Sequence, residues 1–288
     1  DIFYQFIFGN DLFGYEAYNN KYSGFFGDEQ IAGGYIQRFS FFSFFIFPFL
    51  TKFKGKFIRG AIISILFIIF FTTIIISGNR MPLILFIFMF LLILIFEKEV
   101  RKYLISFIIV SVISFLTIIN SNKNIALHFN SFYNQLQILV QAPFVNVSEK
   151  RSVKGSYYNT FATFKNTWLI NKYIGGGIKS FRINCPKVHE NCGTHPHNYY
   201  LEILTDLGII GFFILSLIFL IVAYISFFKI YFLNIKLESK FILTPFLILY
   251  LIEIFPIKSS GSLFSTTNAT FIFILIAIVT ALSIKKIN

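Results

Sequence analysis

Charged residues are scarce in this sequence of 288 residues. Only 13% of the chain is Asp, Glu, Lys or Arg, whereas soluble domains are about one quarter charged. Apolar residues make up 56% of the chain and include 42 Phe, so its natural solvent is lipid rather than water. This composition excludes an ordinary soluble domain and predicts an integral membrane protein.

Acidic residues are the rarer charged type, with 13 Asp and Glu against 25 Lys and Arg, and the formal net charge is +12. A nucleic-acid-binding protein gathers its basic residues on one polar face. Here the basic residues instead separate apolar segments. The positive charge is therefore explained by membrane topology, and we expect no nucleic acid partner.

The sequence also lacks an initial Met, a signal peptide and an evident internal repeat. It begins at Asp1, and its acidic first 30 residues lead directly into an apolar run. A signal peptide would instead show a basic start followed by an apolar core. We therefore expect this chain to be the C-terminal part of a longer protein whose missing portion contains additional spans.

Seven apolar windows are long enough to be membrane-spanning helices, which must cross a hydrocarbon core of about 30 Å. They lie at 31–50, 58–77, 82–96, 103–119, 199–228, 241–256 and 267–284. The sequence therefore predicts an all-α integral membrane protein, a polytopic helical bundle. Its parts are an N-terminal stretch (1–30), transmembrane helices 1–4 (31–119), a long loop (120–198) and transmembrane helices 5–7 (199–288).

The basic residues of the short loops predict the orientation, because cytoplasmic loops collect Lys and Arg. One set of loops holds most of them: Lys52, Lys54, Lys56, Arg59, Lys98, Arg101, Lys102, Lys229, Lys236, Lys240, Lys285 and Lys286. The alternate short turns hold Arg80 and Lys258. We therefore expect the first set in the cytoplasm, and the N-terminal stretch, both of these turns and the long loop on the outer face of the cytoplasmic membrane.

The long loop, 120–198, exceeds the length of a passive connector. Its apolar residues at 129, 132, 133, 136 and 140 alternate spacings of three and four, which predicts an amphipathic helix lying on the membrane. A second helix is predicted near 157–173. We interpret the whole segment as a lid on the outer face of the membrane.

Both cysteines of the chain, Cys185 and Cys192, fall in this loop. An oxidising compartment favours a disulfide between them over free thiols. His189, His195 and His197 lie nearby, so a zinc site is the alternative. The spacing departs from the paired Cys-x-x-Cys and His-x3-5-His forms, and we therefore expect the disulfide and no metal.

His197 and Asn198 stand at the mouth of the fifth apolar window, and Gly208 and Gly211 follow inside it. At about 100° per residue, a continuous helix would place His197 and Gly208 on one face. Pro196 suits the first turn of a helix, which predicts that His197 lies in that turn. The positive end of the helix would then keep the imidazole neutral and able to accept a proton.

These residues fit the pattern His-[Asn/Ser/Gln]-x9-Gly-x-x-[Gly/Thr/Tyr], and the blocks Ser23–Glu29, Ser77–Arg80 and Gly175–Arg182 stand in the usual order around it. The sequence therefore resembles the O-antigen ligase and O-antigen polymerase (WaaL/Wzy) family over most of its length. The resemblance implies a GT-C type membrane fold and glycosyltransferase activity without a cofactor. It also implies an undecaprenyl-diphosphate-linked oligosaccharide as donor and a glycan or the lipid A core as acceptor.

The resemblance further implies roles for single residues. An acceptor hydroxyl activated by His197 would attack the anomeric carbon with inversion, because the hydroxyl must lose its proton as it attacks. Arg38, Arg80 and Arg182 would hold the diphosphate, since guanidinium groups bind phosphate oxygens in a bidentate manner. Asn198 would orient the imidazole or a sugar hydroxyl. Metal is not required if arginines neutralise the leaving group.

A glycine turn, Gly175–Gly177, precedes Arg182 and has two interpretations. Glycine-rich backbone next to basic groups can cradle phosphate, and the alternative is a flexible turn. Many family members carry an arginine upstream of this turn, where this chain has Tyr157 and Tyr158. The candidate replacements are Arg151, Lys154 and Lys165.

The acceptor separates a polymerase from a ligase, and we favour the polymerase because the Ser23–Glu29 and Gly175–Arg182 blocks are similar to polymerase members. The alternative is a ligase that transfers to the lipid A core. A hypothesis from another class is a transporter or flippase for lipid-linked sugar. It predicts broken helices at corresponding positions of two internal halves, and the sequence shows no such paired pattern.

Overall fold

The computed structural model describes residues 1–17, 21–50, 56–96, 104–141, 156–190, 192–232 and 237–284. These residues form helices, turns and one isolated bridge between Asn10 and Glu16, without a strand. The helices are α1 Ile2–Phe8, α2 Ala32–Leu50, α3 Lys56–Ile76, α4 Arg80–Phe96, α5 Leu104–Ser121, α6 Lys123–Gln141, α7 Ser156–Ile170, α8 Phe181–Asn184, α9 Tyr199–Phe232, α10 Leu237–Glu253 and α11 Thr266–Ile284. The prediction of an all-helical fold is confirmed.

The chain divides into two compact units, Asp1–Tyr133 and Asn134–Asn288. In the first unit, phenylalanine rings fill the space between α2, α3, α4 and α5. The ring of Phe90 lies 4.5 Å from that of Phe67 and 5.1 Å from those of Phe44 and Phe107, measured between centroids. Edge-to-face contacts of this kind add to the stabilisation gained by burying each ring.

The N-terminal end of α2 packs closely against the turn between α3 and α4. A Cβ on Gly33 would stand 2.6 Å from both the Ser77 hydroxyl and the Asn79 Cβ. Glycine is therefore required at position 33 for this approach. The contact places the beginning of α2 beside the residue at which α4 begins, Arg80.

Both helices predicted in the 120–198 segment are present as α6 and α7. Residues Phe107–Ser121 and Lys123–Asn134 meet at an angle of 108°. Asn122 forms the corner, because its side-chain carbonyl accepts the backbone N–H groups of Asn124 and Ile125. Such a cap satisfies N–H groups that the first turn of α6 leaves without helical partners.

In the second unit, α9, α10 and α11 pack against one another. The Tyr250 hydroxyl donates to the Phe219 carbonyl at 2.9 Å, and the hydroxyls of Ser226 and Ser283 hydrogen-bond at 2.8 Å. Buried polar groups are costly without partners. These bonds therefore fix which faces of the three helices meet.

Two helical segments among the described residues are long and apolar enough to cross a membrane, Tyr199–Phe228 and Thr266–Ile284. The bent pair of α5 and α6 is a third candidate, and Gly60–Ile76, Arg80–Ile95 and Ile242–Glu253 are shorter apolar helices. Each of the seven apolar windows lies mainly in one helix. The number of crossings stays a prediction, and most of the basic loop residues that predict the orientation lie outside the described residues.

Candidate functional site

The histidine motif lies in a short connection before α9, not inside the helix. α9 begins at Tyr199, and His197 has a φ of 53°, a left-handed conformation that is rare for a residue with a side chain. Asn198 caps the helix, because its side-chain carbonyl accepts the N–H groups of Tyr200 at 3.0 Å and Leu201 at 3.2 Å. The prediction that His197 occupies the first helical turn is wrong, since Asn198 competes with Pro196 as the start signal.

The segment between α10 and α11 holds the backbone on both sides of the histidine. The Ser260 N–H donates to the His197 carbonyl at 2.9 Å. The Asn198 amide donates to the carbonyls of Pro256 at 2.7 Å and Lys258 at 3.1 Å. These bonds and the helix cap fix His197 in its left-handed conformation.

The imidazole of His197 is exposed and lies beside a second imidazole. The ring centroids of His195 and His197 are 4.3 Å apart. Partial removal from water lowers the pKa of His197 below the ordinary value for histidine. The pKa of His195 is lowered first by burial and then by the charge of His197, while a bond with the Ser260 backbone raises it. Its partial removal from water favours a neutral His197 near neutral pH.

A buried ion pair lies beneath the motif. The Lys258 ammonium contacts the Glu253 carboxylate, and both side chains are almost fully buried. The same ammonium stands 5.3 Å from the centre of the Tyr199 ring. Glu202, one helical turn later, accepts the Ser262 hydroxyl and the Leu263 N–H. The α10–α11 segment is therefore attached to the start of α9 by charge-assisted hydrogen bonds, which are stronger than neutral ones.

Helix α9 breaks at Gly208, whose φ of 67° and ψ of −171° are not helical. A Cβ at this position would stand 2.2 Å from the Tyr173 carbonyl oxygen, and one on Gly175 would stand 2.3 Å from the Asp206 carbonyl oxygen. Glycine is thus required at both positions, for conformation and for space. The prediction that His197 and Gly208 share one face of a continuous helix is wrong, because neither residue has a helical backbone.

The second glycine of the motif serves the same break. A Cβ on Gly211 would stand 2.3 Å from the Cβ of Leu207 in its own helix. The glycines at 208 and 211 therefore make room for the break and for the turn packed on it.

The glycine turn is docked on the break by its backbone. The Gly176 N–H donates to Thr205 and the Gly177 N–H to Asp206, at 3.0 and 2.9 Å. The Asp206 carboxylate accepts the N–H groups of Lys179 and Ser180 and the Ser180 hydroxyl. An internal carboxylate thus occupies the backbone donors that a phosphate would need. The interpretation of this turn as a phosphate cradle is therefore wrong, because its backbone donors are already bonded. The alternative, a flexible turn, stays a prediction.

The predicted disulfide between Cys185 and Cys192 is confirmed. It joins the end of α8 to the segment that leads into the histidine motif. Both thiols are consumed in this bond, so they cannot serve the zinc site that was the alternative. Among the described residues, no group of three or more His, Cys, Asp and Glu is arranged to hold a metal ion.

The three predicted diphosphate arginines fall in different parts of the chain. Arg182 is exposed on α8 in the second unit, the unit that also contains His197 and Asn198. Arg38 lies on α2 and Arg80 begins α4, both in the first unit. The structure therefore brings His197 and Asn198 together as neighbours, while Arg38 and Arg80 belong to a separately described unit.

Within the first unit, Arg80 lies near an aromatic ring and a second cation. Its guanidinium stands 5.5 Å from the centre of the Phe132 ring. The positive charge of Arg80, after burial as the larger cause, lowers the pKa of Lys21. Two cations are therefore neighbours at the turn where α4 begins, an arrangement that an anion would stabilise.

Lys165, one candidate replacement for the missing upstream arginine, is exposed on α7. The other two, Arg151 and Lys154, lie outside the described residues. Sequence reasoning missed Asp206, Glu202 and the Lys258–Glu253 pair. Ionisable side chains inside or beside apolar windows are a usable signal for such residues, but their partners are 26 and 61 residues away in the chain for the bonds of Asp206 to Ser180 and of Glu202 to Leu263.

Comparison with known proteins gives a family and no individual relative. No curated protein matches the sequence, and no solved structure matches it. A sequence model of a family described as O-antigen ligase matches residues 65–216, which is more than half of the chain and includes the histidine motif with both of its glycines. The chain belongs to this O-antigen ligase family of multi-pass membrane proteins, which act in surface polysaccharide assembly.

Proposed function

We propose that this protein is an inverting, metal-independent glycosyltransferase that uses a polyprenyl-diphosphate-linked glycan as donor and His197 as general base. The observation that carries the proposal is the state of that imidazole. It is exposed to an incoming hydroxyl, its pKa is lowered, and bonded backbone fixes it on both sides. A general base needs this combination of access, neutrality and fixed position.

The proposed reaction is a single displacement. The acceptor hydroxyl gives its proton to a ring nitrogen of His197 as its oxygen forms a bond to the anomeric carbon. The bond between that carbon and the diphosphate oxygen breaks, and its electron pair leaves with the polyprenyl diphosphate. Attack from the face opposite the leaving group inverts the anomeric configuration.

Arg38, Arg80 and Arg182 are the proposed diphosphate ligands. The neighbouring charges of Lys21 and Arg80 support an anion site in the first unit. The exposure of Arg182 supports contact with a substrate in the second. Asn198 orients His197 in this proposal through the backbone that it caps and anchors.

The proposed active site faces the periplasm, and the enzyme lies in the bacterial inner membrane. The disulfide supports this side, because such bonds persist in oxidising compartments and are rare in the cytoplasm. Labelling of an exposed residue of the motif segment, such as a Thr194→Cys variant, by a membrane-impermeant thiol reagent tests it. Labelling of intact spheroplasts agrees with the proposal, and labelling only after lysis contradicts it.

Two substitutions test the base. His197→Gln removes the basic nitrogen while keeping a polar side chain of similar length, and we expect glycan transfer in reconstituted vesicles to fall by roughly 10²- to 10⁴-fold. Binding of the lipid-linked donor should persist. His189→Gln is the matched control, because His189 lies in the same segment and bonds Asn166 instead. Transfer at the normal rate by the His197 variant would refute the role.

The acceptor is proposed to be a second polyprenyl-linked glycan, which makes the enzyme a polymerase, and the alternative is a ligase acting on the lipid A core. The surface glycan of a deletion strain separates the two. Chains of one repeat unit indicate a polymerase, and unattached lipid-linked polymer indicates a ligase. Translocation of donor in vesicles without formation of a glycosidic bond would instead favour a transporter.

A further inference from the structure

The break at Gly208 divides α9 into two parts of different character. The part before it, Tyr199–Leu207, buries carboxyl and hydroxyl side chains, among them Glu202 and Asp206. The part after it exposes almost only large apolar side chains: Ile210, Phe213, Ile214, Leu217, Ile218, Leu220, Ile221, Tyr224, Ile225 and Phe228. This second part has about 20 residues and a length of about 30 Å, the thickness of a hydrocarbon core. The second part alone is therefore long enough for a bilayer crossing that begins at the break and not at Tyr199.

The segment that contains Lys172 and Tyr173 packs against the break, beside the first residues after Gly208. The Ile209 N–H donates to the Lys172 carbonyl at 3.0 Å, and the Ile210 N–H donates to the Tyr173 carbonyl at 3.2 Å. Lys172 and Tyr173 are thus bonded to the first residues of the crossing. Lys172 and Tyr173 are therefore in the same environment, lipid or water, as the exposed side chain of Ile210.

The segment around this point exposes large apolar side chains. Tyr173 is 61% exposed, Ile174 75% and Ile178 64%. Burial of apolar side chains of this size is strongly favourable, so their exposure to water needs an explanation. The backbone bonds to Ile209 and Ile210 support one explanation. The exposed side chains extend the lipid-facing surface of α9 at the end next to Gly208.

The residue types agree with this position. Trp168 donates its indole N–H to the Lys172 carbonyl at 3.1 Å, and the Lys172 ammonium stands 4.7 Å from the centre of the Tyr173 ring. Trp and Tyr are enriched where a membrane meets water. Lysine lies at the same level with its stem on apolar surface and its charge in the headgroup layer.

We propose that Trp168–Ile178, the interfacial turn, inserts its apolar side chains into the headgroup layer and upper acyl chains of the phospholipid bilayer. Lys172 contacts lipid phosphate there. The Asp206 carboxylate and the glycine turn hold this segment on the break, and α8 with Arg182 follows directly. The bilayer surface thereby sets the level of the segment that leads to the histidine motif. The inference goes beyond the proposed function and does not depend on the chemistry of His197.

The chain of 288 residues carries its own probe, because Trp168 is its single tryptophan. Its fluorescence is measured in vesicles of phospholipid brominated either near the headgroup or near the chain end, and in plain vesicles with the aqueous quencher acrylamide. We expect the shallow bromines to remove most of the emission and the deep bromines and acrylamide to remove little. Stronger quenching by acrylamide or by the deep bromines, or quenching by none of the three, would overturn the proposal.

A pair of variants makes the test specific. Ile174→Glu places a charge in the interfacial turn at a side chain that packs on little protein, and we expect Trp168 emission to shift to longer wavelength and to become open to acrylamide. Val188→Glu is the control, since Val188 is also exposed but follows α8 and the Cys185 bridge residue. A reporter moved into the turn, Trp168→Phe with Ile174→Trp, should again be quenched by shallow bromines. Equal responses of the two glutamate variants, or a moved reporter open to acrylamide, would contradict the inference.

Discussion

The two compact units of the described chain differ in what they bury. The first unit buries phenylalanine rings, and Asp11 is its one buried charged residue among those described. The second buries four: Glu202, Asp206, Glu253 and Lys258. It also contains both described residues other than glycine with a positive φ, Lys179 and His197. Apolar packing makes the first unit stable, whereas polar bonds fix particular backbone positions around the histidine in the second.

The largest effect on stability is expected at Gly208 in the second unit, where there is no room for a side chain. Gly208→Ala would place a Cβ 2.2 Å from the Tyr173 carbonyl oxygen at a φ of 67°. We expect the free energy of unfolding in detergent to fall by roughly 3 kcal/mol or more. Gly34→Ala in the first unit is the control, because its Cβ would meet nothing within 4 Å and alanine favours a helix by about 1 kcal/mol.

The partner glycine sharpens this comparison. Gly175→Ala disrupts the same backbone contact from the other side. The double variant should therefore lose less than the sum of the two single losses, because residues in contact are not additive. Additive losses would show that the two glycines act independently.

Removal of the disulfide should have the next largest effect. Cys185→Ser combined with Cys192→Ser opens a loop with a sequence separation of 7, and we expect a loss of about 2–3 kcal/mol. Thermal unfolding in detergent measures this. Wild-type protein under reducing conditions should show the same loss, and an unchanged midpoint in both samples would contradict a stabilising role.

A smaller effect is expected from the aromatic core of the first unit. Phe90→Leu keeps an apolar side chain of similar volume and loses ring contacts to Phe44, Phe67 and Phe107. We expect a loss of about 1 kcal/mol. The pH dependence of glycan transfer should stay that of the wild type. A changed pH profile would mean that Phe90 affects the titration of the catalytic group and not only the stability of the first unit.

The smallest effect is a titration. Because the neutral ring of His197 is the proposed base and its pKa is lowered, transfer should rise with pH through a midpoint below about 6.5 and be level above pH 7 or so. The unfolded chain binds this proton more readily than the folded one. The free energy of unfolding should therefore decrease as the pH falls from the ordinary histidine pKa, about 6.5, through the lowered pKa of folded His197. The pH profile of kcat/KM measures the midpoint, and a value above 6.5 would contradict the partial desolvation of the ring.

The sequence predicted the helical class, a helix in each of the seven apolar windows and the disulfide. It did not predict the break at Gly208, because apolar residues continue across it with helical spacing. The Asp206 contact was also missed, since it joins groups 26 residues apart and only tertiary structure shows that proximity. Pro196 misled the helix start because Asn198 offers a better cap two residues later.

The mutual fit of Gly175 and Gly208 has a consequence for hybrid enzymes. The backbone at each glycine occupies the volume that a methyl group on the other would need. Neither segment of this contact can therefore be exchanged between homologues alone. A chimera between family members should therefore carry residues 171–210 as one cassette. A crossover inside that stretch would combine the helix break of one protein with the glycine turn of another, and the two backbones would not fit.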